Sequence, residues 1–239
     1  VTPLVEVSGL RFSYADGTAA LTDVSFRIDE GERVALLGPT GSGKSTLLQH
    51  LNGLLVGGAG SVRVGGMSVT DERTVREVRR RVGLVFQDPN DQLFLPTLLE
   101  DVAFGPLNDG VPPVEAAARA RAVLTELGLD HAHDRAAHHL SGGERRLAAL
   151  ATVLVLRPAL LALDEPTGDL DARHRHQLVR LLRARPETLL VATHDLEAAR
   201  ALCGWGIVLH GGRVVADAPL SELVLDSALL ERYGLSAPL

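Results

Sequence analysis

Aromatic residues make up only 3% of the 239-residue chain, so Leu, Val and Ala must fill whatever core it buries. A chain of this length can bury a substantial core, as one large domain or two small ones. Basic residues are in deficit. The 24 Lys and Arg against 30 Asp and Glu leave a net charge of −6, which argues against a general nucleic-acid binder, whose phosphate contacts need a basic surface. With Cys203 as the single cysteine no internal disulfide can form, which suits a reducing compartment such as the cytosol. The longest uncharged apolar run, Leu147 to Leu156, ends at Arg157-Pro158 and is far shorter than the roughly 20 residues of a membrane helix. No basic, then apolar, then small-residue pattern opens the chain, so no signal peptide is expected, and the missing initiator Met points to processing or trimming. Any action at a membrane therefore needs another protein to bring the chain there.

What the sequence does contain is organised around Gly38-Pro39-Thr40-Gly41-Ser42-Gly43-Lys44-Ser45-Thr46. The apolar run Arg33 to Leu37 precedes it and the helix-like run Thr46 to Asn52 follows, which is the strand, glycine loop and helix order of a P-loop. Glycines let backbone N–H groups wrap a polyphosphate, and the helix N-terminus aims a positive dipole end at the same anion. Lys44 can reach the β- and γ-phosphates, and Ser45 offers a hydroxyl to Mg²⁺. Chance alone would spell the pattern in roughly one chain per hundred of this length. Nucleotide binding follows from this stretch by itself.

Around the loop, the pattern predicts mixed α/β structure. Val5 to Ile28 alternates in short runs broken by Asp16-Gly17, which predicts antiparallel strands, and Gly57 to Gly66 predicts a further hairpin around Ser61 to Val64. Tyr14, ahead of the first turn, fits either a packed sheet edge or a stacking partner for a purine. Asp71 to Arg81 is helix-compatible and leads into the strand Val82 to Phe86. Gln87 then stands at the strand's carboxyl end, where open α/β sheets bind ligands, although a solvated loop Gln is the commoner case. From Pro89 to about Arg157 the pattern is helical without a convincing strand, with helices over Thr97 to Phe104, Val114 to Gly128 and Gly142 to Leu156. A metal site at His131, His133, His138 and His139 is disfavoured, because recognised ligand spacing is absent.

Ser141 and Glu144 have capping-box spacing, and Gly142 and Gly143 leave the first helical N–H groups approachable for phosphate. Leu160 to Leu163 predicts a buried strand that delivers Asp164 and Glu165 to its carboxyl end. Strand alternation points the two differently: Asp164 suits Mg²⁺, and Glu165 suits activation of an attacking water. Asp171 starts a helix to about Arg183, Thr188 to Thr193 forms a strand ending at His194, and a hairpin at Gly211-Gly212 precedes a short helical tail from Pro219.

Together these residues resemble the ATP-binding cassette (ABC) ATPases over essentially the whole chain. Gly38 to Ser45 is similar to the Walker A loop, Leu140 to Glu144 to the signature, and Asp164 with Glu165 to the end of Walker B and its glutamate. Gln87 matches the Q-loop, Gly168 to Asp171 the D-loop, His194 the switch histidine and Tyr14 the adenine-stacking aromatic. The resemblance implies a P-loop NTPase (RecA-like) core with an N-terminal antiparallel β subdomain and an inserted α-helical signature subdomain. Residues 1–239 would then be a single ABC ATPase domain, with 1–88 and 158–239 as nucleotide-binding core and 89–157 as the helical part. It implies ATP and Mg²⁺ as cofactors, the metal held by Ser45, Gln87 and Asp164. Glu165, His194 and Gln87 would be catalytic. Tyr14, the loop residues Gly38 to Thr46, and Ser141, Gly142 and Gly143 would bind nucleotide, the last three from a second chain in a head-to-tail dimer, identical or paralogous.

Phe86 to Phe94 together with Glu100 to Asn108 is similar to the ATPases of cobalt or nickel importers and of energy-coupling factor (ECF) transporters for vitamins. That likeness implies integral membrane subunits as partners, docked near Leu93, Phe94, Leu98 and Phe104, a peripheral place on the cytoplasmic face of the membrane, and no nucleic acid. Glu144 where Gln is commoner, and Gly168-Asp169 before Leu170, depart from the pattern, and the chain stops sooner than many members do. A soluble ABC protein acting on nucleic acid or ribosomes is the alternative, but long insertions, coiled coils and a second cassette are all missing. A P-loop kinase or GTPase would need neither the signature nor His194.

Overall fold

The computed structural model describes residues 2–235. Alternation of apolar residues builds its first sheet, in which β1 (Val5–Ser13) pairs antiparallel with β2 (Ala19–Ile28) on one side and with β4 (Ala59–Val64) on the other. β5 (Met67–Ser68) completes the order β2-β1-β4-β5. Val5, Val7, Leu10, Val24, Phe26 and Ile28 turn inward and are buried. Only glycine fits where β4 approaches β1, since a Cβ on Gly58 would lie 1.8 Å from the Arg11 carbonyl.

The second sheet has the order β10-β9-β3-β8-β7-β6, with β3 (Arg33–Leu37) between β9 (Trp205–His210) and β8 (Thr188–Thr193). β7 (Leu160–Asp164) and β6 (Val82–Val85) extend it in parallel, while β10 (Arg213–Pro219) closes the other edge antiparallel to β9. Every residue of β6, β7 and β8 is buried, as continuous apolar runs in a parallel sheet require.

Period-two alternation gives this sheet two different faces. Val34, Leu36, Leu160 and Ala162 share one core with α1 (Lys44–Leu51) and the antiparallel sheet, so α1 lies sandwiched, with Leu47, Leu48 and Leu51 fully buried. Leu161, Leu163, Leu189 and Val191 face the helices α3 (Leu98–Asn108), α4 (Pro113–Glu126), α5 (Gly142–Leu154) and α6 (Ala172–Arg183). Ala35, Leu37 and Val208 pack against α7 (Leu196–Leu202), α8 (Leu220–Leu223) and α9 (Ser227–Arg232). Among the described residues no helix is long and apolar enough to cross a membrane.

Three local details differ from the sequence expectation. α2 (Val75–Arg81) starts later than Asp71, because the Asp71 carbonyl first accepts the N–H groups of Thr74 and Val75 in a turn. α3 runs past Phe104 through Pro106, whose burial continues the face begun by Leu98 and Val102. α7 was not expected; its start is capped by Asp195, which accepts the Ala198 N–H.

Candidate nucleotide site

The glycine loop leaves the central strand β3 and enters α1 under tight backbone constraint. A Cβ on Gly38 would lie 2.3 Å from the Leu209 carbonyl, and one on Gly43 would lie 2.5 Å from the Ala20 carbonyl. Gly43 also has φ 105°, a conformation natural to glycine alone. α1 starts with no side-chain cap and no acidic residue in its first turn, so its N–H groups are free to receive an anion. Lys44 folds back over the loop, its Nζ donating to the Gly38 carbonyl at 2.6 Å and to the Pro39 carbonyl at 3.2 Å.

Two adjacent parallel strands deliver the acids and the histidine. Asp164 continues the Leu160 and Ala162 face toward α1 and meets the Ser45 hydroxyl. Burial pushes its carboxyl pKa up, against the opposing pull of that hydroxyl, and its Oδ1 is buried with no partner among the described residues. An orphaned carboxylate oxygen beside a serine hydroxyl, with the Gln87 amide on the same cleft wall, is an oxygen donor set that fits a hard divalent cation. Glu165 turns elsewhere because its backbone is left-handed, at φ 44°. Its Oε2 accepts from the Thr193 hydroxyl at 2.8 Å, and its Oε1 accepts the His194 N–H at 3.1 Å, lies 2.8 Å from His194 Nδ1 and 3.6 Å from Lys44 Nζ.

Lys44, Ser45, Asp164, Glu165 and His194 line one cleft of about 310 Å³ with Tyr14, Thr40, Gly41, Ser42, Gly43, Thr46 and Gln87, while Gly38, Pro39 and Thr193 lie outside its lining. Tyr14 packs at the sheet edge and also lines this cleft. Its ring packs edge-on to Phe12 at 5.2 Å and its hydroxyl meets Thr46 Oγ1 at 2.8 Å, yet it is 42% exposed at the cleft mouth. An adjoining cleft of about 520 Å³ runs from Ser45 and Asp164 past Gln87 and Asp88 to Gly142 and Arg146.

At the start of α5, Gly142 lines the cleft that reaches Ser45 and Asp164, whereas Ser141 does not. Ser141 opens instead on a depression shared with His131 and His174. Its hydroxyl and N–H both donate to Glu144 Oε2, at 2.7 and 2.8 Å, completing the capping box. Gly143 is buried against the His174 ring, which a Cβ would approach to 2.4 Å. Of the histidines of this region, His131 lies 2.9 Å from Glu144 and His133 2.9 Å from Asp134, while His138 and His139 pack on each other with ring centroids 4.1 Å apart.

Sequence reasoning missed Thr193 and Arg146. The first is a hydroxyl at a strand's last residue, one position before His194. The second is a charge on the apolar stripe of α5 between Gly143 and Leu150, and a cation at such a position is a legible signal of a buried partner.

Fold and cleft define the class: a P-loop NTPase with a carboxylate and a histidine poised opposite its lysine. Comparison with known proteins narrows it. The sequence profile described as "ABC transporter" matches residues 21–168. The cobalt import ATP-binding protein CbiO of Rhodobacter capsulatus is 44% identical over 243 residues, covering 100% of this chain and 87% of that protein. The energy-coupling factor transporter ATP-binding protein EcfA of Methanothermobacter thermautotrophicus is 40% identical over 239 residues, covering 98% of this chain and 77% of that protein. Among solved structures, CbiO1 of Clostridium perfringens, part of the ABC transporter complex CbiONQ, superposes with TM-score 0.82 at 33% identity over 100% of this chain and 97% of that one. The chain belongs to the ABC transporter family, and is an ATP-hydrolysing transport ATPase subunit with the P-loop NTPase fold expected from its motifs.

Proposed function

We propose that the chain is the ATPase of an importer that takes up a transition-metal ion such as cobalt or nickel, or a vitamin, through separate membrane subunits. It would work from the cytoplasmic face of the membrane, paired head to tail with a second cassette. Residues 1–88 and 158–239 form the nucleotide core in this reading, and 89–157 the helical signature part. The observation that carries the reading is the meeting of Lys44, Asp164, Glu165 and His194 at the carboxyl ends of three parallel strands, the position where such sheets bind ligands. The name of the CbiO relative, a cobalt import ATP-binding protein, supports the transition-metal reading, and that of EcfA supports an energy-coupling factor transporter.

ATP lies along Gly38 to Thr46 with its base at Tyr14. Lys44 exchanges the Gly38 and Pro39 carbonyls for phosphate oxygens. Ser45, Asp164 and Gln87 would hold Mg²⁺, which when bound neutralises charge on the β- and γ-phosphates. Glu165 accepts the proton of the attacking water and His194, hydrogen-bonded to it, senses the γ-phosphate. Ser141, Gly142 and Gly143 of a second copy supply the remaining wall. The opening of Ser141 on a depression away from the loop cleft of its own chain supports that arrangement.

Replacing Glu165 by Gln tests the reading. ATP binding should persist, turnover should fall about 100-fold or more, and an ATP-dependent dimer should accumulate and co-purify with membrane subunits from native membranes. Full turnover in that variant, or recovery only with nucleic acid, would contradict the proposal.

A further inference from the structure

Arg146 lies on the buried face of α5 and is only 6% exposed. Its guanidinium donates through Nη1 to the backbone carbonyl of Gln87 and through Nη2 to the backbone carbonyl of Gly168, the latter at 3.1 Å. Those two carbonyls belong to different loops, one leaving β6 and the other leaving β7. Being planar, the guanidinium fork fixes the spacing of its two acceptors as well as their distance from the helix. Burial disfavours the charge, and Asp169, Asp88, Asp164 and Glu165 oppose that effect without cancelling it.

The loop held by Nη2 is strained. Glu165 has φ 44° and Asp169 has φ 57°, and non-glycine residues stay in that region only where their surroundings over-determine them. Three contacts hold the middle of this turn: Gly168 N–H donates to the Glu165 carbonyl at 3.1 Å, the Thr167 hydroxyl donates to Asp195 Oδ2 at 3.5 Å, and Arg146 takes the Gly168 carbonyl. The dihedral angle at Glu165 decides where its carboxylate reaches, so a fork anchored on α5 helps to aim Glu165 at His194 and Lys44.

We propose that Arg146 is a positioning residue that couples the two ATP sites of the dimer, tying the signature start of α5 to the Gln87 loop and the Glu165 turn of the same chain. The inference rests on the head-to-tail reading above. There, Ser141 and Gly143 touch the nucleotide held by the second copy, whereas Gln87 and Glu165 of the same chain act on their own nucleotide. A displacement of the α5 start on phosphate docking in one site is carried by one rigid side chain to the base of the other. Arg146 touches neither nucleotide in this scheme.

The test is steady-state ATP turnover of the full chain at protein concentrations that saturate self-association, comparing Arg146→Lys, which keeps the charge but loses the fork, with Arg146→Met, which keeps the bulk but loses the charge. The unaltered chain should show a Hill coefficient for ATP above one. Both variants should drop it to one and lower kcat about tenfold or more, with KM changed less than about threefold, because the loss is of orientation and not of ATP binding. A Hill coefficient of one in the unaltered chain, unchanged cooperativity in folded variants, or failure of both variants to fold would overturn the proposal, the last by making Arg146 merely structural. Glu165→Gln run alongside separates the two claims. Full activity there sinks the site reading itself, whereas an inactive Glu165→Gln beside a normal Arg146→Lys sinks only the coupling.

Discussion

Lys44 and Glu165 face each other at 3.6 Å, with their side chains 7% and 10% exposed. Each charge therefore compensates the other where water is scarce, and a bound triphosphate changes that balance by giving Lys44 a stronger anionic partner. Glu144 plays a comparable part at the start of α5. The Ser141 hydroxyl, followed by the Ser141 N–H and His131, lowers its pKa from 4.5 to about 2. A carboxyl whose folded pKa is depressed contributes stability that is fully present above its unfolded value and is lost as pH falls through the folded one. Urea unfolding should thus show Glu144→Gln less stable by about 0.5–1 kcal/mol at neutral pH. The gap should hold down to about pH 4.5 and close toward about pH 2, the limits set by the two pKa values. A gap that widens with acid would contradict the capping role.

At the scale of elements, the helices carrying the signature are held to the nucleotide sheet by close contact between β6 and α5. A Cβ on Gly83 would meet Val153 Cγ1 at 2.2 Å and Pro158 Cγ at 2.8 Å, so the strand approaches the helix only because Gly83 has no side chain. Gly83→Ala should destabilise the chain by about 1–3 kcal/mol through overpacking, read as a lowered urea midpoint with an unchanged slope; an unchanged midpoint would show that the contact can relax. Elements whose cause is local were legible in the sequence. β8 has the bounds that Thr188 to Thr193 predicts, and α5 begins after the Ser141 and Glu144 box. α7 was not legible, because a short run of Leu, Glu, Ala and Arg is held mainly by Ala199 and Leu202 packing on distant cores.

Across the whole molecule, one mostly parallel sheet carries one core on one face and two on the other, and its carboxyl edge gathers residues from positions 14 to 194 into one cleft. The glycine loop, both acids and His194 could be read early because each chemistry sits at a strand's end within a short motif. Thr193 and the identity of the partners of Arg146 could not, because those partners lie 28, 59 and 22 positions away, even though a charge on the apolar stripe of α5 signals that Arg146 has a buried partner. The same long-range logic governs the signature serine, Ser141, which opens on a different depression from the loop of its own chain. That separation makes the central claim one about two chains. In the proposed dimer each site would combine Lys44 of one copy with Ser141 of the other. A Lys44→Ala chain and a Ser141→Arg chain should each be nearly inactive alone, since both sites of either dimer carry a lesion. Mixing them builds dimers in which one site pairs an intact loop with an intact signature. Turnover of such mixtures is the direct measurement: the account predicts recovered ATPase activity that peaks near equal amounts of the two variants, and a mixture as inactive as its components would contradict it.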